Sequence, residues 1–410
     1  MILLLKLAWR SLWRNRRRTL ISAASIGLAL TISVFFIALA DGMYSMMIDQ
    51  AVRMQAGHLT LEHAEYRDAP SVDLVVDGVR ALRERLAELP GVEATKPLVV
   101  AQGVAKSGRD SIGVAILGVE PASERRSSPL VAKLTAGAYL EDLEERAVVV
   151  GEDLAERLGV GVGKKLVLTS NDVSGQLVEE LVRVKGLFAT RVEEIDGYLV
   201  QVPIGFARRL TGMGPDQATQ LGLVLSPPGL EDEVAAEVRG WLSGSRAAVR
   251  SWQEVLPDLA AYIRADGGTN YVINGLILFL VMFTIFNTVM MSAMERQREF
   301  AVLLALGTPT GRIQSQLLAE SAMLALLGCA LGLGLGGGLA YWSQVEGIDI
   351  RRFFDEGVTV SGVMVDFELR ARLTWGLLAG LGAAVLAATL LVTLLPMGRV
   401  KRIPVADVLR

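Results

Sequence analysis

Four stretches of the chain contain no charged residue and are each longer than 20 residues: Thr19–Ala40, Tyr271–Met294, Ser321–Trp342 and Leu373–Gly398. A helix rises about 1.5 Å per residue, so roughly 20 apolar residues cross the hydrocarbon core of a bilayer. Each stretch therefore predicts one transmembrane helix. The chain is 51% hydrophobic but also 21% charged, which is too charged for a protein that lies wholly in lipid. The sequence predicts an α-helical membrane protein with four spans and a large part in water.

The charges at the two ends of the chain predict its orientation. Residues 1–18 hold six basic residues and no acidic one, and residues 399–410 hold four basic residues against Asp407. Because Lys and Arg are enriched in cytoplasmic segments next to spans, we expect both termini and the loop 295–320 in the cytoplasm. The remaining hydrophilic sequence is acidic on balance, which argues against nucleic-acid binding.

The first 18 residues have two interpretations. Leu5, Trp9 and Trp13 share a helical spacing with basic residues between them, which is typical of an amphipathic helix in the inner headgroup layer. The alternative is a disordered basic arm, which the two tryptophans at helical spacing disfavour. No small-residue cleavage site closes the following apolar run, so the segment predicts an uncleaved anchor.

A short amphipathic helix is predicted in the loop between the second and third spans. Its two faces are an apolar stripe of Phe300, Leu303, Leu304 and Gly307, and a charged side with Arg296 and Glu299. Gly307 is placed to end this helix in a left-handed conformation, and Thr308 followed by Pro309 to begin the next. The stretch predicts a coupling element; an ordinary amphipathic surface helix is the alternative.

Glu320 begins the third span, eight residues after Arg312 and therefore about two helical turns along the same face. An acidic residue at the membrane edge needs a partner or water. We predict that Glu320 steadies the short helix by pairing with Arg296 or Arg298.

A single large insertion, residues 41–270, separates the first two spans and is long enough for a core of its own. Its patterns predict an α+β extracytoplasmic domain in which strand, helix, strand occurs twice, with bounds His58–His63, Val79–Leu89, Val92–Val100, Leu221–Leu225, Glu231–Leu242 and Ala247–Ser251. The segments 41–53 and 252–264 continue the neighbouring spans as stalks. The one cysteine, Cys329, lies in the third span, so this domain folds without disulfides.

Two patterns suggest chemistry but do not satisfy its requirements. The segment from Gly159 to Lys165 suggests a phosphate loop, but its glycine spacing fails, Lys165 replaces the required hydroxyl, and a predicted strand follows. His58 and His63 are five residues apart, which places them on opposite faces of a strand and argues against a metal site. We expect no catalytic residue, metal or cofactor in this chain.

Glycines in the last two spans predict close helix packing. Gly328, Gly332 and Gly336 recur every four residues, as do Gly376 and Gly380. Small residues at this spacing let helix backbones approach each other in lipid. A glycine-lined pore is the less favoured alternative.

The segment Asn287–Arg312 carries a recognisable order: Asn, then E-R-x-R-E-x-A-x-L-x-A-L-G, then a capped helix leading into a glycine-rich span. This order resembles the FtsX-like permeases of MacB-type (type VII) ABC transporters. Gly57-His-Leu-Thr-Leu with Tyr66 is similar to the LolC/LolE branch, which releases lipoproteins. The resemblance implies that the short helix docks into an ATPase through Glu295, Arg296, Arg298, Glu299, Phe300, Leu303, Leu304 and Gly307.

The resemblance also implies an architecture and partners. The extracytoplasmic domain would be a MacB-like porter module whose halves, about 54–118 and 221–251, flank a β-rich insert of about 119–220. ATP and Mg²⁺ would be bound by a separate LolD-like or MacB-like ATPase subunit. A second permease subunit, identical or related, would complete the assembly in the bacterial inner membrane, with the large domain in the periplasm.

Three functions are compatible with this resemblance. The first is release of lipoproteins from the inner membrane to a LolA-like periplasmic carrier, the second is MacB-like export of a peptide, toxin or small molecule, and the third is FtsX-like regulation of a cell-wall hydrolase. The size of the insertion favours the first two. The predicted division of the chain is an interfacial helix 1–18, spans 19–40, 271–294, 321–342 and 373–398, an extracytoplasmic domain 41–270, a coupling loop 295–320, an outer loop 343–372 and a tail 399–410.

Overall fold

The computed structural model describes residues 2–227, 229–242, 244–349, 359–360, 363–364 and 368–400. They form two compact units. The helical unit has the bounds Met1–Tyr44, Arg264–Phe353 and Phe367–Arg410, and the α+β unit has the bounds Ser45–Ile263 and Phe354–Asp366. Most of the predicted tail 399–410 and the middle of the predicted outer loop 343–372 lie outside the described residues.

Four helices are long and apolar enough to cross a membrane, and each matches one predicted span, although the last helix begins two residues after the predicted Leu373. They are α2 (Arg16–Met54), α10 (Pro257–Glu295), α12 (Thr310–Glu346) and α13 (Trp375–Val400). Two shorter helices complete the helical unit, α1 (Ile2–Arg14) and α11 (Gln297–Ala305). At 39 residues each, α2 and α10 are about 58 Å long, well beyond the ~30 Å of a hydrocarbon core.

The two predicted stalks differ in continuity. Residues 41–53 form the last turns of α2. Residues 252–264 are divided, because a short helix α9 (Trp252–Val255) ends at Leu256 before α10 begins at Pro257. The residue before a proline is disfavoured in a helical conformation, and Leu256 has φ −120° and ψ 65°.

One half of the α+β unit contains both predicted strand–helix–strand repeats. The elements are β1 (Leu59–His63), α3 (Val79–Ala87), β2 (Val92–Lys106), β9 (Gln220–Leu225), α8 (Glu231–Trp241) and β10 (Ala247–Ser251). Their strands lie in the order β10-β1-β9-β2, and all three pairings are antiparallel. This is a ferredoxin-like arrangement divided by the long segment between β2 and β9.

The inserted segment is β-rich, as expected, but it begins earlier than residue 119. Its elements are β3 (Ser111–Val119), α4 (Pro121–Ser127), a 3₁₀ turn (Pro129–Lys133), β4 (Leu134–Gly137), β5 (Ala147–Gly151), α5 (Glu152–Leu158), β6 (Lys165–Asn171), β7 (Leu177–Phe188), α6 (Glu193–Asp196), β8 (Leu199–Pro203) and α7 (Ile204–Thr211). Strand β2 belongs to both halves, because residues 92–98 pair with β9 and residues 99–106 pair with β3. The result is one ten-stranded sheet that runs through both halves.

The described parts of the outer loop form two short ladders, β11 (Ile348–Asp349) with β14 (Glu368–Leu369) and β12 (Thr359–Val360) with β13 (Val363–Met364). The end of the loop crosses α2 closely. The backbone N–H of Arg372 donates to the carbonyl of Ala38 at 2.7 Å, and a Cβ on Gly42 would lie 1.9 Å from the Arg370 carbonyl oxygen. Only glycine therefore fits at this crossing.

A buried ion pair lies inside the α+β unit beside the end of α2. Lys96 on β2 and Glu124 on α4 are 2.5 Å apart and at most 2% exposed. The ammonium group of Lys96 also donates to the carbonyl of Arg53 at 2.6 Å, and Arg53 donates two hydrogen bonds to Glu93 at 3.0 and 2.9 Å. The last turn of α2 is thus joined to β2 through main chain and side chain.

Candidate coupling site

The site is built around a sharp break between α10 and α12. Helix α10 ends at Glu295, and Arg296 has the non-helical angles φ −104° and ψ 15° before α11 starts at Gln297. Helix α11 ends at Ala305 with Leu306 as its C-cap, and Gly307 follows with a φ of +87°. The N–H groups of Gly307 and Thr308 donate to the carbonyls of Leu304 and Leu303, both at 3.0 Å, which is a Schellman motif. This confirms that Gly307 ends the helix.

The start of α12 differs from the prediction by one residue. Pro309 occupies the N-cap position with φ −66° and ψ 140°, and no side chain caps the helix. Thr308 is therefore not the N-cap. It is used instead by the Schellman motif, in which its N–H closes the preceding helix.

Arg296 lies at the centre of a buried polar cluster. Its Nη1 donates to both carboxylate oxygens of Glu320, at 2.8 and 3.1 Å, and to the Ser11 hydroxyl at 2.9 Å. Its Nε donates to Glu299 at 3.0 Å, and Gln316 donates to Glu320 at 3.1 Å. The structure thus brings together the predicted partners Arg296 and Glu320, whereas Arg298 is exposed on α11.

The surroundings of Arg296 and Glu299 favour the charged forms of these two residues. Burial by itself lowers the pKa of Arg296, but Glu320 and Glu299 more than compensate, and its pKa lies above the ordinary value. Hydrogen bonds from Arg296 and Arg14 lower the pKa of Glu299. Since Arg296 and Glu320 are 8% and 7% exposed, neither charge could be left without the other at small cost.

Part of the predicted apolar stripe of α11 packs against other helices of the same chain. Phe300 is 1% exposed and packs with Ala293, Ile313 and Leu317, and Leu304 packs partly against the same cluster. Arg296 lies on this buried side as well, with its guanidinium carbon 5.0 Å from the centre of the Phe300 ring. The prediction that Arg296 lies opposite the stripe is therefore wrong, because Arg296 and Phe300 are four residues apart and share a face.

The acidic residues of the loop bind the N-terminal part of the same chain. Glu299 accepts a hydrogen bond from Arg14 of α1 at 2.7 Å, and Glu295 accepts one from Arg18 of α2 at 2.6 Å. Both pairs are partly exposed, so each contributes at most about 1 kcal/mol. The first pair nevertheless orients α1 relative to α11, and the second orients α2 relative to the end of α10.

The exposed residues that follow Glu299 in α11 and at its C-cap are apolar. Leu306 is 78% exposed, and Val302 and Leu303 are also exposed. An apolar set on a helix whose other face is fixed is suited to bind a groove on another protein. The roles of all eight predicted residues in coupling stay predictions. Glu295, Arg296, Glu299, Phe300 and Leu304 make side-chain contacts with other helices of the chain. Arg298, Leu303 and Gly307 are exposed.

The packing glycines also divide into two sets. A Cβ on Gly328 would lie 2.5 Å from Ile26, one on Gly332 would lie 2.6 Å from Leu30, and one on Gly336 would lie 2.9 Å from Thr31. These three glycines therefore allow α12 to approach α2. Gly376 and Gly380 do not act in this way, because a Cβ at either position would meet no described atom within 4 Å.

Sequence reasoning missed the residues of the cluster that come from far away in the chain. Ser11 and Arg14 are 285 positions from their partners Arg296 and Glu299. Gln316 had a detectable signal, since it lies one helical turn before Glu320. Nothing in the local sequence of α1 distinguishes Ser11 from an ordinary surface serine.

Comparisons with known proteins show which family the chain belongs to. The family model described as MacB-like periplasmic core domain matches residues 19–240, and the model described as FtsX-like permease C-terminal matches residues 271–405. The chain belongs to the FtsX-like permeases with a MacB-like periplasmic core domain. This permease is therefore a membrane protein of the bacterial envelope and an ABC transporter permease of the MacB/Lol type.

Three relatives match most of the permease. It is 25% identical over 78% of its length to the lipoprotein-releasing system transmembrane protein LolC of Neisseria meningitidis, covering 76% of that protein. It is 23% identical to LolE of Haemophilus influenzae, covering 98% of both chains. It is 24% identical over 80% of its length to the macrolide export ATP-binding/permease protein MacB 2 of Aeromonas hydrophila, covering 51% of that protein.

Among solved structures, the periplasmic region of MacB from Actinobacillus actinomycetemcomitans aligns with 51% of the permease and 95% of that region. The TM-score is 0.36 and the sequence identity is 11%.

Proposed function

We propose that this permease couples ATP hydrolysis by a separate ATP-binding subunit to motion of its α+β unit, and that the cargo is a lipoprotein released from the inner membrane for transfer to the outer membrane. The observation that supports coupling is the two-sided character of α11. One face is fixed by the Arg296–Glu320 cluster, and the other exposes Val302, Leu303 and Leu306.

A displacement of α11 has a short route into the spans. Phe300 packs against the first turns of α12, and Arg296 directly follows the last residue of α10. Because a packed interface moves as a body rather than deforming, a push on α11 moves the inner ends of both helices. Within the α+β unit, Lys96 and Glu93 bind the last turn of α2. Motion of the helices acts on β2 at these contacts.

The proposed cargo is supported by the relatives. The LolE protein of Haemophilus influenzae, named as part of a lipoprotein-releasing system, matches over 98% of both chains. We accordingly assign the permease to the inner membrane, with cytoplasmic termini and a periplasmic α+β unit. Its partners are an ABC ATPase that holds ATP and Mg²⁺, a second permease subunit, and a LolA-like carrier.

The test is purification of the permease with its ATPase from native membranes, using an ATPase variant that binds but does not hydrolyse ATP. We expect acylated lipoproteins to co-purify and to be released to a LolA-like carrier when the hydrolysing ATPase replaces the variant. A matched preparation of another inner-membrane transporter is the control. Absence of enriched lipoproteins, together with normal ATPase assembly, would remove the cargo assignment and leave the coupling role.

A second candidate is MacB-like export from the periplasm. It is favoured by the match to MacB 2 of Aeromonas hydrophila over 80% of this permease. Under this alternative, loss of the permease sensitises cells to a macrolide or peptide and leaves lipoprotein localisation unchanged. Fractionation of inner and outer membranes in the same deletion strain separates the two candidates.

A further inference from the structure

A cleft of about 500 Å³ lies in the α+β unit between α3 and α7. Strand β2, which packs against both helices, lines the cleft with Thr95 and Pro97. Ala87 of α3, Ile204 of α7 and Leu143 give it an apolar wall, and Leu143 is 47% exposed although it is large and apolar. Protein sites for small ligands have a similar size, about 300–1,000 Å³, and similar walls with a few polar groups.

The charged residues that line the described part of this cleft are three basic and three acidic ones: Arg80, Arg83, Arg208, Glu84, Glu120 and Asp216. Arg83 donates to both carboxylate oxygens of Glu120, at 3.2 and 2.9 Å, and its Nε donates to the Thr95 hydroxyl at 3.2 Å. The charge of Arg83 is therefore compensated inside the protein.

The charges on and near α3 are also compensated. Asp216 accepts the backbone N–H of Arg80 on Oδ1 at 2.8 Å and that of Val79 on its main-chain carbonyl at 3.2 Å. It thus lies at the positive end of the α3 dipole, which favours a carboxylate. Arg80 and Glu84 are exposed and four residues apart on α3, where opposite charges attract each other.

Arg208 of α7 is the charge that remains. Its Nε donates to the carbonyl of Gln217 at 2.8 Å, and neither Nη makes a hydrogen bond or ion pair within the described part of the chain. Burial lowers the pKa of Arg208 below its ordinary value, and the nearby Asp216 and Glu120 do not offset this effect. Four of the five N–H donors of a half-buried guanidinium are therefore unused.

We propose that this cleft binds a ligand with one carboxylate and a small apolar group, and that the two Nη groups of Arg208 hold the carboxylate. A guanidinium presents parallel N–H donors that match the two oxygens of a carboxylate. One uncompensated positive charge suits a monoanion, because the second charge of a phosphate would face Glu120 and Asp216. The apolar group contacts Ile204 and Leu143.

The carboxylate belongs to a free organic acid or to the C-terminus of a peptide, since both present the same chemistry to Arg208. The proposal goes beyond the proposed function and depends neither on the coupling role nor on the cargo.

Calorimetric titration of the purified full-length permease in lipid nanodiscs tests the ligand class. The probes are N-acetylleucine and a peptide that ends in leucine, each compared with its C-terminal amide. We expect the acids to bind at millimolar concentration and the amides to bind about tenfold more weakly or less. A peptide that binds more tightly than N-acetylleucine supports the proposal with a peptide C-terminus as the source, and equal affinities support it with a free acid.

Three results of this titration would overturn the proposal. They are equal binding of an acid and its amide, no binding of either acid, and tighter binding of inorganic phosphate than of N-acetylleucine at the same site.

Two variants test the location. Arg208→Gln should weaken binding of the acid about tenfold or more, whereas Arg209→Gln should change it little, because Arg209 follows on the same helix but pairs with Glu144. Leu143→Asp places a negative charge in the wall without changing Arg208 and should also weaken binding, with Leu177→Asp at another exposed leucine as its control. Unfolding temperatures show which variants are folded. Wild-type affinity in a folded Arg208→Gln or Leu143→Asp variant would overturn the proposal.

Discussion

One nitrogen of Arg296 donates to both carboxylate oxygens of Glu320, at 2.8 and 3.1 Å, between residues that are less than 10% exposed and 24 positions apart. The pair joins the residue between α10 and α11 to the third span near the start of α12. Because its two charges are buried, removing one leaves the other uncompensated, which costs about 3–5 kcal/mol in comparable pairs.

We expect Glu320→Leu to destabilise the docking of α11 strongly, while Arg296→Met with Glu320→Leu recovers much of the loss because no buried charge remains. The measurement is thermal unfolding of the purified permease together with ATPase stimulation. Arg298→Ala, at an exposed position on the same helix, is the control for stability and should change the unfolding temperature little. A double variant no more stable than Glu320→Leu would contradict this account.

The exposed face of α11 should carry the contact with the ATPase. Leu306→Asp removes a side chain that is 78% exposed in this chain, and burying a leucine at an interface is worth ~1.5–3 kcal/mol, so binding should weaken at least tenfold. Pull-down of the ATPase at equal membrane abundance measures it. Leu177→Asp, at a 74% exposed leucine of the α+β unit, is the matched control; equal binding by both variants would exclude this face.

A single methyl group should distinguish the two sets of glycines. Gly332→Ala places a Cβ 2.6 Å from Leu30 and 2.7 Å from the Gly27 carbonyl oxygen, whereas Gly380→Ala meets nothing within 4 Å. Overpacking typically costs 1–3 kcal/mol, and alanine is otherwise the better helix former. We expect a lower unfolding temperature only for Gly332→Ala. If Gly380→Ala is equally destabilised, a contact outside this chain uses the fourth span.

The ion pair of Lys96 and Glu124 should stabilise the α+β unit only as a pair. Lys96→Met leaves Glu124, which is 1% exposed, without its cation, and a loss of about 3–5 kcal/mol is expected. Adding Glu124→Leu should restore part of it. Arg83→Met serves as the control, because the Arg83–Glu120 pair is partly exposed and contributes only ~0–1 kcal/mol. Limited proteolysis or denaturant unfolding gives the comparison.

His58 should make the stability of the α+β unit fall in mild acid. Burial lowers the pKa of His58 below its ordinary value of 6.5, and Nδ1 accepts the backbone N–H of Leu225 at 3.1 Å. A depressed histidine pKa contributes stability that is complete above 6.5 and is lost as the pH falls toward the folded-state pKa. The unfolding temperature should therefore drop by up to about 5 °C per pH unit in this window.

The control for this pH dependence is the second histidine. His58→Gln should flatten the profile between pH 7 and 5, and His63→Gln, at a partly exposed position, should keep it. A profile that is the same in all three proteins would assign the acid sensitivity to other groups.

The sequence by itself determined those features of the fold that depend on local or periodic residue patterns. Lack of charge over more than 20 residues defined the four spans, and alternating patterns located both strand–helix–strand repeats. Gly307 could be assigned as a helix end because few other residues adopt a φ of +87° without strain. The partner of Glu320 was narrowed to two arginines because a carboxylate at a membrane edge needs compensation.

Only the tertiary structure decided which side of α11 is buried and which residues complete its cluster. The stripe of Phe300 and Leu304 could face a partner or its own bundle, and periodicity is the same in both cases; Ile313 and Leu317 settle it by packing against Phe300. Ser11 reaches Arg296 across 285 positions. Close approach of helices in lipid likewise depends on what faces a glycine, so identical spacing gave contact at Gly332 and open space at Gly380.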